Sequence, residues 1–207
     1  MSASERRQTR VWRRREVLAA GGVGVGLTLL GCKSRAPRAS EPLRPPSAVP
    51  ERDFLARCIK CQRCLTACPL SAIRLARWTD DLRAARTPIL DFHQGWCNFC
   101  MRCTEVCPTG ALTPTDRPLW YQSLEPLGRA KLTEHCIALK AGGCSRCYEV
   151  CPYQAVVLKA DHVPDITSDC TGCGRCVLEC PSNVFQSFVG SDVRGIEVRS
   201  IHQGEPQ

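Results

Sequence analysis

Sixteen of the seventeen cysteines fall into four groups with nearly the same spacing, and a proline follows each group. The first, second and fourth groups read C-x2-C-x2-C-x3-C-P, whereas the third has seven residues between its first two cysteines. Thiolates two residues apart fit a tight loop around one corner of an iron–sulfur cube, and iron in these cubes prefers soft sulfur ligands. The pattern predicts four [4Fe–4S] clusters, with sixteen ligands: Cys58, Cys61, Cys64, Cys68, Cys97, Cys100, Cys103, Cys107, Cys136, Cys144, Cys147, Cys151, Cys170, Cys173, Cys176 and Cys180.

The fourth cysteine of each motif is expected to start a short helix and to bind the other cluster of a two-cluster module. Only 18 residues separate Cys151 from Cys170, whereas the stretch between the second and third motifs is rich in proline. These lengths favour serial pairing, the first motif with the second and the third with the fourth. In motif order, the fourth ligands are then Cys107, Cys68, Cys180 and Cys151. Nested pairing, first with fourth and second with third, stays open.

Two other uses of cysteine fit this spacing less well than clusters do. A structural zinc site uses two C-x2-C pairs and frequently adds histidine, rather than a triple C-x2-C-x2-C followed by C-P. A disulfide framework suits an exported chain, but repeated triples of closely spaced cysteines give poor geometry for bridges. Both alternatives would leave the protein colourless, whereas clusters absorb visible light.

Large apolar side chains are scarce, since only 12 of 207 residues are aromatic. A chain of this composition builds a thin core, so we expect the clusters to stabilise it. The predicted fold class is α+β: two tandem ferredoxin-like two-cluster modules with small strands and short helices. Trp78, Trp96 and Trp120 are expected to shield this core. The predicted modules span 53–125 and 126–190, and a C-terminal tail follows at 191–207.

A similar tail follows each C-P pair, and its third residue is apolar. We expect this apolar residue to pack on a cluster; the four are Ile73, Leu112, Val156 and Val184. The residues that come next, Arg74–Leu75 and Val157–Leu158, indicate short strands. A longer turn is expected around Asp80–Asp81, and Gly195–Arg199 alternates like an edge strand or a partner contact.

The N-terminal segment has the pattern of an export signal. Three arginines, Arg13 to Arg15, precede an apolar run from Val17 to Gly31 that is too short to span a bilayer. The arginine pair followed by Glu16 and two apolar residues is typical of a twin-arginine signal, assigned to residues 1–32. Leu29-Leu30-Gly31-Cys32 resembles a lipobox, which makes Cys32 a candidate lipidation site. Residues 33–52 are predicted to be a proline-rich linker, and the folded part is expected to begin near Asp53.

The charge distribution argues against nucleic-acid binding. Residues 1–57 carry 12 basic and 5 acidic residues, whereas residues 58–207 carry 16 and 15, so the net charge of +8 is mainly N-terminal. Each oxidised cluster with four thiolates adds about −2, so the holoprotein beyond Cys32 has a net charge of about −4. The sequence pI therefore misleads about partners.

Several sequence features follow one another in an order that resembles that of a known family. It comprises the twin-arginine signal, Leu43-Arg44-Pro45-Pro46-Ser47-Ala48, Phe54-Leu55-Ala56-Arg57-Cys58, the seven-residue spacer in the third motif, and the fourth motif beginning Ser168-Asp169-Cys170. The chain resembles the NapG/MauM ferredoxin-type proteins of periplasmic nitrate reductase and methylamine utilisation systems. The resemblance implies a periplasmic electron carrier, membrane-attached through a partner or through lipid at Cys32. Its donor would be a membrane quinol dehydrogenase (NapH-like), and its acceptor a periplasmic reductase or cytochrome.

No nucleophile elbow, P-loop or nicotinamide fingerprint occurs in the sequence, so we expect an electron carrier and no enzyme activity. The alternative function is the iron–sulfur subunit of a molybdenum- or tungsten-type oxidoreductase, which also carries four clusters. Such subunits usually pair their motifs in the nested order, so cluster pairing discriminates between the two functions.

Overall fold

A computed structural model of the chain describes residues 42–115, 126–185 and 193–201. The predicted export signal, Cys32 and Trp120 lie outside these described residues. The described residues belong to one compact unit. Among them, no helix has the length and apolar character needed to cross a membrane.

The regular elements are short. The helices are α1 (Glu51–Arg57), α2 (Arg63–Ala67), α3 (Arg102–Glu105), α4 (Ile137–Lys140), α5 (Arg146–Glu149), α6 (Arg175–Leu178) and α7 (Ser182–Phe185). The strands are β1 (Ile73–Leu75), β2 (Pro88–Leu90), β3 (Arg129–Leu132), β4 (Val156–Leu158), β5 (Pro164–Ile166) and β6 (Ile196–Arg199). They form three antiparallel two-stranded sheets, β1–β2, β3–β6 and β4–β5. This mixture agrees with the predicted class, and β1 and β4 contain the two predicted strands.

The same plan occurs twice along the chain. The first half carries the first and second cysteine motifs, and the second half carries the third and fourth. A hairpin separates the two motifs of each half: the β1–β2 pair, with Ile73 opposite Leu90, in the first and the β4–β5 pair in the second. The segments outside the motifs also pair: Ala48 bridges to Leu112 in the first half, and β3 pairs with β6 in the second. An isolated two-stranded hairpin is marginal in water, so each hairpin depends on what packs against it.

A polar network fixes the end of the first hairpin. The Arg74 side chain lies between two carboxylates, with Nε 2.5 Å from Asp91 Oδ2 and Nη1 2.6 Å from Asp80 Oδ2. On the other side, His93 Nδ1 lies 2.5 Å from Asp91 Oδ1. The hydrogen bonds from His93, and then that from Arg74, hold the pKa of Asp91 well below its usual range. The turn expected at Asp80 is therefore held to strand β1 by the ion pair between Asp80 and Arg74.

The motif loops curl because residues on either side of the second cysteine take left-handed backbone conformations. In the first, second and fourth motifs these φ values lie between +55° and +78°, at Lys60, Gln62, Phe99, Met101, Gly172 and Gly174. Only the fourth motif uses glycine at both positions, where the conformation has no steric cost. The third motif turns instead through Gly142 and Gly143, after the short helix α4 formed by its seven-residue spacer.

The fourth cysteine of each motif follows a helix rather than starting one, so that prediction was wrong. Helix α2 carries Cys64 and ends at Ala67, and Cys68 is extended with φ −75° and ψ 110°. The proline ring at 69 clashes with a helical residue before it, which drives Cys68 out of the helix. The helix therefore begins at the residue before the third cysteine and stops before the fourth.

The folded part begins earlier than expected. The predicted linker spans 33–52, yet within it Leu43 accepts a 2.7 Å backbone hydrogen bond from Leu90, and Pro45 is fully buried. The C-terminal boundary also differs, because β6 lies in the predicted tail and pairs along its whole length with β3. Both segments close a module by strand pairing, which local composition does not reveal.

Candidate functional site: four cysteine-lined cavities

The sixteen cysteines of the four motifs line four separate cavities of about 300–390 Å³. The first site, of about 390 Å³, brings together Cys58, Cys61 and Cys64 of the first motif with Cys107 of the second. The buried ring of Phe54 closes one side of it. Three of these cysteines thus come from one loop and the fourth from the neighbouring motif.

The other three sites repeat this arrangement. The second site contains Cys97, Cys100, Cys103 and Cys68; the third contains Cys136, Cys144, Cys147 and Cys180; the fourth contains Cys170, Cys173, Cys176 and Cys151. Cys176 also borders the cavity of the third site, because the third and fourth sites are neighbours. In all four, the fourth cysteine comes from the partner motif of the same half.

The described cysteines are all free thiols, without a disulfide among them. Within the described ranges, no three Cys, His, Asp or Glu side chains converge in a way that would hold a single metal ion. Four thiols around one shared cavity instead suit a multinuclear cofactor that places one iron near each sulfur.

Backbone N–H groups point at the sulfur of the fourth cysteine in every motif. The donor-to-sulfur distances are 3.3 Å for Ala72 to Cys68, 3.5 Å for Leu112 to Cys107, 3.3 Å for Ala155 to Cys151, and 3.2 Å for Gly195 to Cys180. Such donors stabilise a thiolate and, with a cluster bound, its added electron. The four thiols of each cavity and the N–H donors to its fourth sulfur therefore fit an iron–sulfur cluster.

Most buried thiols are poor acids in the protein alone. Burial raises the pKa of Cys97 and Cys103 to about 12, and that of Cys64, Cys147 and Cys173 to about 11. Neighbouring cysteines add to the effect, because a second thiolate nearby disfavours the first. The thiols therefore need a cationic cofactor to ionise, and binding such a cofactor releases protons.

Cys107 differs from these buried thiols. Burial acts to raise its pKa, but hydrogen bonds from the backbone of Leu112 and Thr109 outweigh burial, so the pKa lies below the ordinary thiol value. The Thr109 hydroxyl, 3.8 Å from the sulfur, adds to this effect. Cys107, the cysteine that the second motif adds to the first site, thus lies in surroundings that already favour its thiolate.

Three of the four apolar residues expected to pack on clusters do line the cavities. Ile73 borders the second site, Leu112 the first and Val156 the fourth. The prediction for Val184 was wrong, since its side chain is 67% exposed. The chain after Pro181 continues into α7 instead of a strand, and Ile196 of β6, 2% exposed, lines the third site in its place.

Of the tryptophans expected to shield the core, one is half-buried and one is exposed. Trp96 is half-buried and borders the second site, as expected for a shielding residue. Trp78 is 72% exposed in the turn between β1 and β2, so the prediction that it shields the core was wrong.

An arginine precedes the third cysteine in every motif, a regularity that the sequence predictions overlooked. The four are Arg63, Arg102, Arg146 and Arg175, and each is the first residue of a helix. The first three are exposed, whereas Arg175 is partly buried with its guanidinium 4.8 Å from the ring centre of Trp96. The repeated C-x-R-C pattern was the sequence signal that would have found them.

The two halves match known domains. Residues 57–111 and residues 141–185 each match a family described as a 4Fe-4S dicluster domain. The chain is therefore a tandem dicluster iron–sulfur protein, and its two domains imply four [4Fe–4S] clusters, in agreement with the sixteen cysteines.

Relatives narrow this class to a family. The methylamine utilization ferredoxin-type protein MauM of Methylophilus methylotrophus is 37% identical over 80% of this chain and 79% of its own length. MauM of Paracoccus denitrificans is 34% identical over 81% of this chain and 82% of its own length. The ferredoxin-type protein NapG of Escherichia coli is 33% identical over 86% of this chain and 84% of its own length. The chain belongs to the MauM/NapG family of ferredoxin-type iron–sulfur electron-transfer proteins.

Proposed function

We propose that the sixteen cysteines bind the four clusters in serial pairing and that the protein carries electrons in the periplasm. The observation that carries this proposal is the composition of the cavities, each with three cysteines of one motif and the last of its partner motif. Nested pairing would place Cys180 with the first motif, whereas the first cavity contains Cys107. The cavities thus support an independent ferredoxin-type carrier over the subunit of a larger molybdenum or tungsten oxidoreductase.

A [4Fe–4S] cluster supplies one-electron transfer, and the chain's own residues supply the rest. The cysteine thiolates hold each cluster, and the N–H donors at the fourth cysteines favour the more negative state. Apolar residues such as Leu112 and Ile196 keep water away from the sulfurs. These roles need no acid, base or nucleophile, which supports a carrier without catalytic activity.

The location and partners follow from the N-terminal signal and from the family. Residues 1–32 would direct export of the folded, cluster-loaded chain, with Cys32 as a candidate lipid anchor. A membrane quinol dehydrogenase of the NapH type would donate electrons, and a periplasmic reductase or cytochrome would accept them. A net charge of about −4 in the holoprotein suits partners with basic docking faces rather than nucleic acid.

Iron analysis of the anaerobically purified full-length protein tests the ligand assignment. Four complete clusters require about 16 iron and 16 sulfide per chain, with visible absorbance and [4Fe–4S] spectra. Reproducible values near half of this, or zinc in place of iron, would contradict the proposal.

Paired cysteine variants test the pairing in the same full-length protein. Cys61→Ala with Cys107→Ala damages one site under serial pairing, so about 12 iron should remain in intact clusters. Cys61→Ala with Cys68→Ala is the matched control, because these cysteines belong to two sites and about 8 iron should remain. The nested arrangement predicts damage to two sites in both variants, so equal losses would refute serial pairing.

Export is tested separately. Replacing Arg14 and Arg15 together by lysine should leave the clustered protein in the cytoplasm, as judged by fractionation. Unchanged periplasmic delivery would contradict the twin-arginine assignment. Globomycin should cause the precursor to accumulate only where Cys32 is lipidated.

A further inference from the structure

The second and fourth motifs lie at a contact between the two halves of the protein. The Cys97 N–H donates a 2.8 Å hydrogen bond to the carbonyl oxygen of Cys173. A Cβ atom on Gly174 would lie only 2.0 Å from the ring of Phe92, so this loop packs directly on the first half. Beside it, the rings of Phe99 and Tyr153 meet edge to face at 6.3 Å. The second and fourth sites are therefore neighbours across the halves.

Within each half, short helices join the sites. Helix α2 carries Cys64 of the first site, and Cys68 of the second follows its last residue, about one turn further on. Cys176 of the fourth site lies in α6, and Cys180 of the third follows it at the same spacing. With the ligand sets proposed above, the sites thus connect in the order first, second, fourth, third, and the first and third are the outer ones.

Arg175 lies at the contact between the two inner sites. It stands between Gly174 and Cys176 of the fourth motif, and its guanidinium lies over Trp96, which borders the second site. Its Nε is buried and has no hydrogen-bond partner within the described part of the chain. The three equivalent arginines are exposed, so Arg175 is the member of this repeat whose charge is least screened by water.

We infer that the four sites are arranged in the order first, second, fourth, third, and that Arg175 is a positioning residue whose positive charge serves both inner sites. This inference rests on the proposed ligand assignment. Each inner cluster would carry about −2 when oxidised and one more negative charge when reduced. A partly buried cation favours the reduced state, so Arg175 raises the reduction potential of both inner clusters relative to the same sites without it.

Redox titration of the full-length holoprotein, followed by electron paramagnetic resonance, tests this role. Arg175→Gln should make two of the four reduction steps harder, with the oxidised-to-reduced ratio at fixed potential rising about tenfold, equivalent to about 59 mV for a one-electron couple. Arg175→Lys should restore most of the shift, because it keeps the charge. Arg63→Gln is the matched control at the same motif position and should move no step by as much.

A shift in Arg175→Gln no larger than in Arg63→Gln would overturn the inference, as would a shift confined to one step. Iron content is measured first in each sample. Wild-type protein with far fewer than about 16 iron refutes the proposed ligand assignment, whereas intact iron with unmoved potentials refutes the role of Arg175 alone.

Iron anomalous scattering from crystals of the wild-type holoprotein gives a second test that needs no variant. The shortest distance between iron positions in different halves should join the site of Cys97 to that of Cys173. A shorter distance involving the first or third site would overturn the proposed order, even where Arg175→Gln fails to fold.

Discussion

Arg44 should be the side chain whose loss most destabilises the first half. It lies in the predicted linker but is almost buried, with its side chain 9% exposed. Its Nε and Nη2 form a two-pronged ion pair with Glu51 at 2.7 and 2.5 Å, and Nη1 donates to Thr87 Oγ1 and to the Pro88 carbonyl at 2.8 Å each. The guanidinium also lies 4.3 Å from the ring centre of Phe54. One side chain thus ties the N-terminal segment to α1 and β2.

The expected cost follows from these contacts. Removing one partner of a buried ion pair typically costs about 3–5 kcal/mol. Glu51 is 23% exposed and can turn toward water, so Arg44→Ala should lie at the lower end, about 3 kcal/mol. Loosening this segment uncovers Phe54, which closes the first site, so the first cluster should be lost earliest.

A kinetic assay suits this protein, because cluster loss makes unfolding irreversible. In guanidinium, bleaching of the visible absorbance should be up to about 100-fold faster in Arg44→Ala than in the wild type. The full effect is expected if the contacts of Arg44 break before the rate-limiting step of unfolding. Arg44→Lys keeps the charge but loses the forked geometry, so its rate should be intermediate.

Arg146→Ala is the matched control, since Arg146 also pairs with a carboxylate, at 2.8 Å from Glu179, but is exposed. Exposed pairs contribute little, so its bleaching rate should stay near that of the wild type. Equal rates for Arg44→Ala and Arg146→Ala would refute the argument that burial of Arg44 matters.

Three further predictions concern packing, backbone and charge. Ile196→Ala should destabilise the third site by about 2–5 kcal/mol and release its iron first, whereas Val184→Ala, at an exposed position, should leave chemical denaturation unchanged. Gly174→Ala should disrupt the contact between the halves, because its Cβ would overlap an aromatic ring, while Gly142→Ala has free space and should cost only about 1–2 kcal/mol of left-handed strain in a melting experiment. Asp91→Asn should lower the melting temperature at pH 6, and this difference should shrink only as the pH falls below about 3.9, because the depressed pKa of Asp91 gives stability that is present above its unfolded pKa and lost as the pH falls through its folded pKa. A difference that disappeared well above the unfolded pKa would contradict the assignment.

The parts that the sequence predicted well are those that depend on local spacing. The motif spacing predicted that these cysteines come together around shared cavities, and link lengths favoured the serial pairing that the lining of the cavities supports. Strands β1 and β4 follow their motifs directly and were predicted from the next few residues. These features arise within about twenty residues of a cysteine, where spacing and turn chemistry decide the structure.

The features that were missed depend on contacts between distant residues. The proline-rich stretch around Pro45 has the composition of a linker, but Arg44 reaches residues 87 and 88 and holds it in place. The alternating run of β6 was recognised, but its partner β3 lies more than sixty residues earlier. Val184 occupies the same position in its motif as Ile73 does in the first. A helix there leaves Val184 exposed, and Ile196 lines the third site instead. Composition and periodicity carry no information on such pairings.

The geometry also explains why this fold and its cofactors should be inseparable. The three sheets have only two strands each, and the buried residues include many alanines and cysteines, so protein contacts alone give a small core. The spaces between hairpins and motif loops are the four cysteine-lined cavities themselves. In the proposed pairing each cluster would cross-link two motifs through the fourth cysteine, so the free energy of cluster binding would become free energy of folding. We therefore expect loss of one cluster to loosen its whole half, and the neighbouring half through the contact of Cys97 with Cys173. The proposed twin-arginine signal is read on folded proteins, so export by that route would require the clusters to be acquired first.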